Sequence, residues 1–392
     1  MAGDSPRARK SAGSSSLSPV AQREAAGNFF VIPGGFMKQI PIKKFIKTFA
    51  LSAALLLLLA GGLVLLFDPF YHYHGPLPGL KAVVTKSEYQ CIGTIRNFDY
   101  DSVLCGSSTA ENYNNRWFDE MFGAKTVKAI KSSGTTADLK FYLDEAFETH
   151  AVKNVFYSLD LFALDGDPEE NFVNESMPLY LFDENPVNDV KYLWNKDVIF
   201  EDIPYLAAMT LIGNYDEGTS YNWWQYKNFS EEDTLLHYSR PEMVKEDEAA
   251  SEYEERIDAN VKILTEMAEK HPETQFYFML PPYSLLWWDS MDRTGELEKY
   301  LYARYAAMTA LLSHENVKIY DFQTDENIIL NLDNYMDPVH FSADVNHLMA
   351  LSCGEEDSSY LVTEENCEGR LEGMEVLAQR ILEEEIQKYF HN

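Results

Sequence analysis

A serine, a histidine and an aspartate in this chain are of the types that together perform acyl-transfer chemistry. Ser108 lies in the run Cys105-Gly106-Ser107-Ser108-Thr109, and Asp337 and His340 lie in Asp337-Pro338-Val339-His340. A serine hydroxyl is a weak nucleophile and needs an adjacent base, and the base needs a third group to fix its tautomer. Residues 102–105 form a short, mostly apolar run suited to a buried strand. Gly106 permits a sharp turn with no Cβ clash. Ser107 and Ser108 then fall at a helix start, where free backbone N–H groups face outward and can stabilise an oxyanion. The same stretch also reads as an ordinary serine N-cap. An Asp-x-x-His pair just before a helix can set the imidazole over a sheet edge with the carboxylate behind it.

The elements that must position these groups read as alternating strands and helices. Residues 126–130 form a second strand, followed by the Ser133-Gly134-Thr135-Thr136 turn and a helix over 137–149. A third strand at 154–157 ends at Ser158-Leu159-Asp160. An amphipathic helix at 252–270 carries Ile257, Val261, Leu264 and Met267 at helical spacing. The strand 275–280 runs into Pro281-Pro282-Tyr283-Ser284, a helix covers 296–313, and 317–320 is the last clear strand. Helices over roughly 343–351 and 371–389 complete the chain. Such alternation predicts β-α-β units, a parallel sheet and an α/β fold. In such sheets ligands bind beyond the carboxyl ends of strands, where Ser108, Gly134 and Asp160 all fall.

These blocks resemble the SGNH (GDSL-like) hydrolase family, which has a Gly-x-Ser turn after the first strand and an Asp-x-x-His near its end. The resemblance implies a three-layer α/β/α, flavodoxin-like sheet, with Ser108 as nucleophile, His340 as base and Asp337 as its orienter. It implies that Gly134 supplies an oxyanion N–H, that Pro282 and Tyr283 adjoin the substrate, and that neither metal nor cofactor takes part. The third family block, Gly-x-Asn, reads Ser158-Leu159-Asp160 here. Asp160 stands where the oxyanion asparagine is expected, and an ionised carboxylate cannot donate a hydrogen bond.

The net charge of −31 argues against a nucleic-acid partner, because phosphate binding needs Lys and Arg clusters. The acid is unevenly spread. Residues 1–47 hold eight Lys/Arg against Asp4 and Glu24, leaving 24 basic and 61 acidic residues beyond. Between these halves, residues 48–67 carry no charge over 20 residues, about 30 Å as a helix and enough for one bilayer crossing. The lysines at its start place the N-terminus in the cytoplasm and the remainder outside.

The expected organisation is a disordered basic cytoplasmic tail at 1–44, a transmembrane helix at 45–67, a juxtamembrane stalk at 68–99 and an extracellular SGNH-like domain at 100–392. An insertion or lid occupies about 161–250. Residues 81–85 read as a short edge strand, and the aromatic block 67–76 as an interfacial belt. His72 and His74 alternate, so an extended segment would point both one way, though no third ligand lies nearby. Glu111 is either a first-turn carboxylate or a group that tunes the site. Cys353 and Cys367 flank an acidic loop and could bridge outside the cell.

Anchor and juxtamembrane block also resemble membrane-anchored SGNH-like proteins of Gram-positive bacteria, such as that of teichoic-acid D-alanylation. That implies a cell-surface serine esterase or O-acyltransferase acting on an acylated envelope glycan, polymer or lipid-linked sugar, beside a membrane-bound O-acyltransferase. The alternative is a non-catalytic tethered accessory protein that binds a glycan or that acyltransferase.

Overall fold

Five short apolar runs pair side by side into the sheet that holds the site. The computed structural model describes residues 41–172, 177–213 and 215–390. In chain order, α1 (Ile42–Phe67) and α2 (Ser87–Asn97) precede β1 (Ser102–Gly106), α3 (Asn115–Phe122), β2 (Thr126–Ile130), α4 (Thr136–Thr149) and β3 (Asn154–Ser158). The short helices α5 (Val190–Leu193), α6 (Ile203–Ile212) and α7 (Glu231–Leu236) follow, with 3-10 and π turns between them. Then come α8 (Ala250–Lys270), β4 (Gln275–Leu280), α9 (Leu285–Arg293), α10 (Leu297–Leu311), β5 (Val317–Asp321) and α11 (Glu326–Ile329). The chain closes with α12 (Ala343–Glu355), β6 (Leu361–Val362) and α13 (Cys367–Arg380).

The strand order is β2-β1-β3-β4-β5-β6. The first five strands are parallel, and β6 pairs antiparallel to β5. The fold is therefore α/β, built on a six-stranded, mostly parallel sheet. Side chains alternate across it. Phe156 and Tyr277 face Phe118 and Phe122 of α3, whereas Phe276 faces Phe147 of α4. Helices thus cover both faces, consistent with three layers. With both faces covered, the strands are buried nearly end to end, which is why their sequences read as continuous apolar runs. Strand order reverses between β1 and β3, and in doubly wound sheets that reversal opens a crevice at the carboxyl ends.

The chain divides into units of residues 1–53 and 54–392. The described part of the first is the start of α1, bearing Lys43, Lys44 and Lys47. Helix α1 is 26 residues long and apolar enough to cross a membrane. The expected tail lies, up to residue 40, outside the described residues.

Several expectations are corrected. Residues 68–99 are no stalk: they supply α2, in which Cys91, Ile92 and Ile95 join the core. The edge strand expected at 81–85 is irregular chain, with the Val84 amide and carbonyl bound to the Tyr215 hydroxyl. The aromatic block is buried protein rather than an interfacial belt. Phe70 and Tyr71 are at most 2% exposed. Buried Asp68 gathers the amides of His72, Tyr73 and His74 and the Tyr192 hydroxyl. His72 turns to Asp189 and His74 to the Leu65 carbonyl, so they share no ligand. Cys353 and Cys367 are free thiols inside the core, each on its own helix, not a bridge across the acidic loop. The last helix starts earlier than expected, at Cys367, and gives way after Arg380 to a π turn and a 3-10 turn.

Gly93 sets how closely α2 meets the aromatic block at 67–76. A Cβ there would lie 2.2 Å from the Phe70 carbonyl oxygen and 2.7 Å from that of Tyr71. Gly93→Ala is expected to cost roughly 1–3 kcal/mol by overpacking, read as a lower urea midpoint at unchanged slope.

Candidate active site

β1 delivers Ser108 at its carboxyl end through Gly106, where an added Cβ would meet the Ala110 Cβ at 2.7 Å and the Ser158 Cβ at 2.9 Å. Only glycine lets β1 turn this close to β3. Ser107 then caps a single 3-10 turn, Ser108–Ala110, by accepting from the Thr109 amide. The Ser108 hydroxyl is 2.8 Å from His340 Nε2. His340 Nδ1 is 2.7 Å from Asp337 Oδ2. Asp337 Oδ1 accepts the amides of Val339 and His340, which locks this loop just before α12. Burial pushes the Asp337 carboxyl up, but its hydrogen bond to His340, the electrostatic pull of that side chain and these two amides together hold it below the usual carboxylate range. An acceptor-only carboxylate accepts from the Nδ1–H, leaving Nε2 to accept from the serine hydroxyl. The structure therefore brings together the three residues singled out as nucleophile, base and orienter, from positions 232 residues apart.

The remaining sequence candidates are placed differently. Asp160, at the end of β3, is 1% exposed and faces no opening. Its carboxylate accepts from the hydroxyls of Ser107 at 2.6 Å, Tyr283 at 2.8 Å and Thr109 at 3.0 Å. It is not an oxyanion-hole residue but the knot that fastens the serine turn to the ends of β3 and β4. Burial pushes this carboxyl up against the pull of its three hydroxyl donors. Tyr283 is likewise buried, its oxygen also accepting the Leu161 amide, so it is framework rather than a substrate contact. The Pro282 carbonyl accepts from the buried Tyr335 hydroxyl and is framework as well. Gly134 points its amide at the Lys131 carbonyl, 2.8 Å away, and so cannot offer that proton to an oxyanion in this state. The Ser108 amide has no acceptor among the described residues.

Other residues also gather at the site. Trp223 packs edge-on against His340, with ring centres 5.4 Å apart. Its indole N–H donates to Glu111 Oε2 at 2.6 Å. Glu111, weighed as first-turn carboxylate or tuning group, is 8% exposed at the wall beside the histidine. Lys128, in the middle of β2, is 1% exposed. Its ammonium reaches the carbonyls of Glu111, Tyr113 and Ser220, tying the 220–224 loop to the chain after Ser108. Asn346 of α12 donates to the Thr109 carbonyl. Two cavities flank the Trp223–Trp224 loop. One, of about 810 Å³, is lined by Glu111, Trp223, Tyr205 and Met209. The other, of about 630 Å³, is lined by Asn112, Trp117, Asn222 and His347. His347 lies against Trp117, with ring centres 4.5 Å apart.

No family model matches the chain, and no curated protein matches it. Among solved structures, a protein from Streptococcus pneumonia, provisionally described as a platelet activating factor, is similar at 14% identity with a TM-score of 0.34. The likeness covers 70% of this chain and 91% of that one. A similarity this distant carries no argument about chemistry.

Burial pushes Glu111 up to about 7 from 4.5, against the pull of the Trp223 indole and of Lys128. The folded state holds this proton more tightly than the unfolded state. Below pH 4.5 both states are protonated and the group costs nothing. Stability then falls as pH rises from 4.5 to about 7, and above that a penalty on the order of 3 kcal/mol is fully present. Glu111→Gln is expected to flatten the decline in urea midpoint between pH 5 and 8. Asp160→Ala leaves three buried hydroxyls without their acceptor. It is expected to cost roughly 2–4 kcal/mol in urea unfolding, with Asp160→Asn recovering part of the loss.

Proposed function

We propose that this chain is a membrane-anchored serine esterase or O-acyltransferase with an SGNH-like domain of flavodoxin-like strand order. The observation that carries the reading is the hydrogen-bonded relay from Ser108 Oγ to His340 Nε2 and from His340 Nδ1 to Asp337. Ser108 attacks an ester carbonyl while His340 takes its proton. Asp337 holds the imidazole and stabilises the imidazolium that forms. The Ser108 amide is the available donor to the oxyanion. His340 then returns the proton to the leaving alcohol. Water or a second sugar hydroxyl, activated in turn by His340, takes the acyl group from the serine.

On this reading α1 crosses the plasma membrane of a Gram-positive cell with the acidic domain outside. Its substrate is an acyl ester of an envelope glycan or lipid-linked sugar, and a membrane-bound O-acyltransferase is the natural partner. One observation favours the non-catalytic accessory reading: the Gly134 amide is turned into the Lys131 carbonyl, so the oxyanion has one backbone donor where such sites use two.

Hydrolysis of p-nitrophenyl acetate by the full chain in detergent separates these readings. Ser108→Ala and His340→Ala are expected to abolish turnover, and Asp337→Asn to lower kcat on the order of 10³–10⁴-fold. Turnover unchanged in Ser108→Ala would remove the serine from the mechanism.

A further inference from the structure

The helices between β3 and α8 carry an apolar surface that the rest of the domain does not cover. Val190, Trp194, Phe200, Tyr205, Leu211 and Ile212 are each at least 41% exposed, Leu211 at 86%. Over Ile203–Ile212, α6 has no charged residue, yet only Ile203 and Leu206 are buried. A helix without a polar face is ordinarily surrounded by apolar material.

The location of this surface indicates what surrounds it. The Trp194 indole N–H donates to the Leu57 carbonyl of α1 at 2.7 Å. The same ring lies against Gly61, where an added Cβ would touch it at 3.5 Å. Leu57 is ten residues before the end of α1 at Phe67, about 15 Å back along the axis. There α1 is apolar all round, with Leu55, Leu56, Leu58 and Leu59 exposed. A side chain docked at that depth on a membrane-crossing helix sits below the bilayer surface. Helix α6 is ten residues long, about 15 Å and too short to span. Lys196, Asp197 and Glu201 in the same stretch are exposed and give it a polar border. A short apolar helix with such a border lies in the membrane plane, its apolar side among acyl chains.

We infer that residues 190–212 form a second membrane contact, with α6 and Phe200 inserted into the leaflet nearest the domain, alongside α1. The occupant of the apolar face is lipid hydrocarbon. The inference rests on α1 crossing the bilayer and is independent of any chemistry at Ser108. One consequence does rest on the acyl-transfer reading. Tyr205, Met209 and Ile212 wall the cavity whose other side is Glu111 and Trp223. A membrane-resident acyl donor or lipid-linked acceptor would reach that cavity without leaving the bilayer surface.

The test uses the full chain in phosphatidylcholine vesicles, with a nitrobenzoxadiazole probe on Phe200→Cys or Leu211→Cys. Leu55→Cys on α1 serves as the lipid reference and Val376→Cys on α13 as the water reference. The unsubstituted chain corrects for its four buried cysteines. Probes at 200 and 211 are expected to be quenched by doxyl-labelled lipid nearly as strongly as at 55, and several-fold less by iodide than at 376. Iodide quenching equal to that at 376, with 55 still in lipid, would place the face in water and overturn the inference. Shielding from both quenchers would mean a protein cover, such as a second copy, and would overturn it equally. A probe at 55 outside lipid would fail the anchor itself, and the second contact with it.

Discussion

The buried Asp160 carboxylate is the interaction on which the rest of the site depends. It sits where the strand order reverses and accepts hydroxyls from the serine turn after β1 and from the loop after β4. Removing a carboxylate from water costs several kcal/mol unless its lone pairs are satisfied. Three hydroxyl donors satisfy them, and in return three loops that would otherwise move separately are fixed to one another. Ser108 lies between Ser107 and Thr109, both bonded to this group, so its position follows from theirs. The acidic residue at this position thus holds the Ser108 turn in place.

A second layer shapes the wall around His340. Lys128 is held by the carbonyls of Glu111, Tyr113 and Ser220, and burial lowers its ammonium to about 7. Glu111 is pushed the other way by the same burial. Burying two titratable groups costs stability, yet the bonds they make to the Ser220 carbonyl and the Trp223 indole fasten the loop that bears Trp223 to the chain bearing Ser108. Trp223 in turn limits where the imidazole can swing. The insertion is therefore part of the site's wall, while its other helices reach α1 through Trp194.

Much of this was legible in the sequence for physical reasons that can be named. Parallel strands buried on both faces show as apolar runs, so the first five were located within a residue or so. Asp337 and His340 were legible because their contact is local, made within one turn of chain. That His340 meets Ser108 was inferred from order alone, since no local pattern encodes it. The amide direction at Gly134 was not legible: a turn that buries an N–H in its own carbonyl has the same residues as one that exposes it. Asp160 was misread because its role is set by hydroxyls from two other segments. Helix α2 was missed because Gly93 and Thr94 are weak helix formers, retained where the Phe70 carbonyl comes too close for a side chain. At two residues, β6 is too short to leave a pattern.

Covalent labelling of the full chain in detergent with a fluorophosphonate probe, followed by mass spectrometry of the adduct, tests the central claim most directly. An adduct on Ser108 that is lost in His340→Ala is the predicted result, because only a serine activated by that imidazole reacts at a useful rate. A folded chain that takes up no probe, or takes it up equally without His340, would contradict the account and leave a fold that holds its serine, histidine and aspartate together for binding alone.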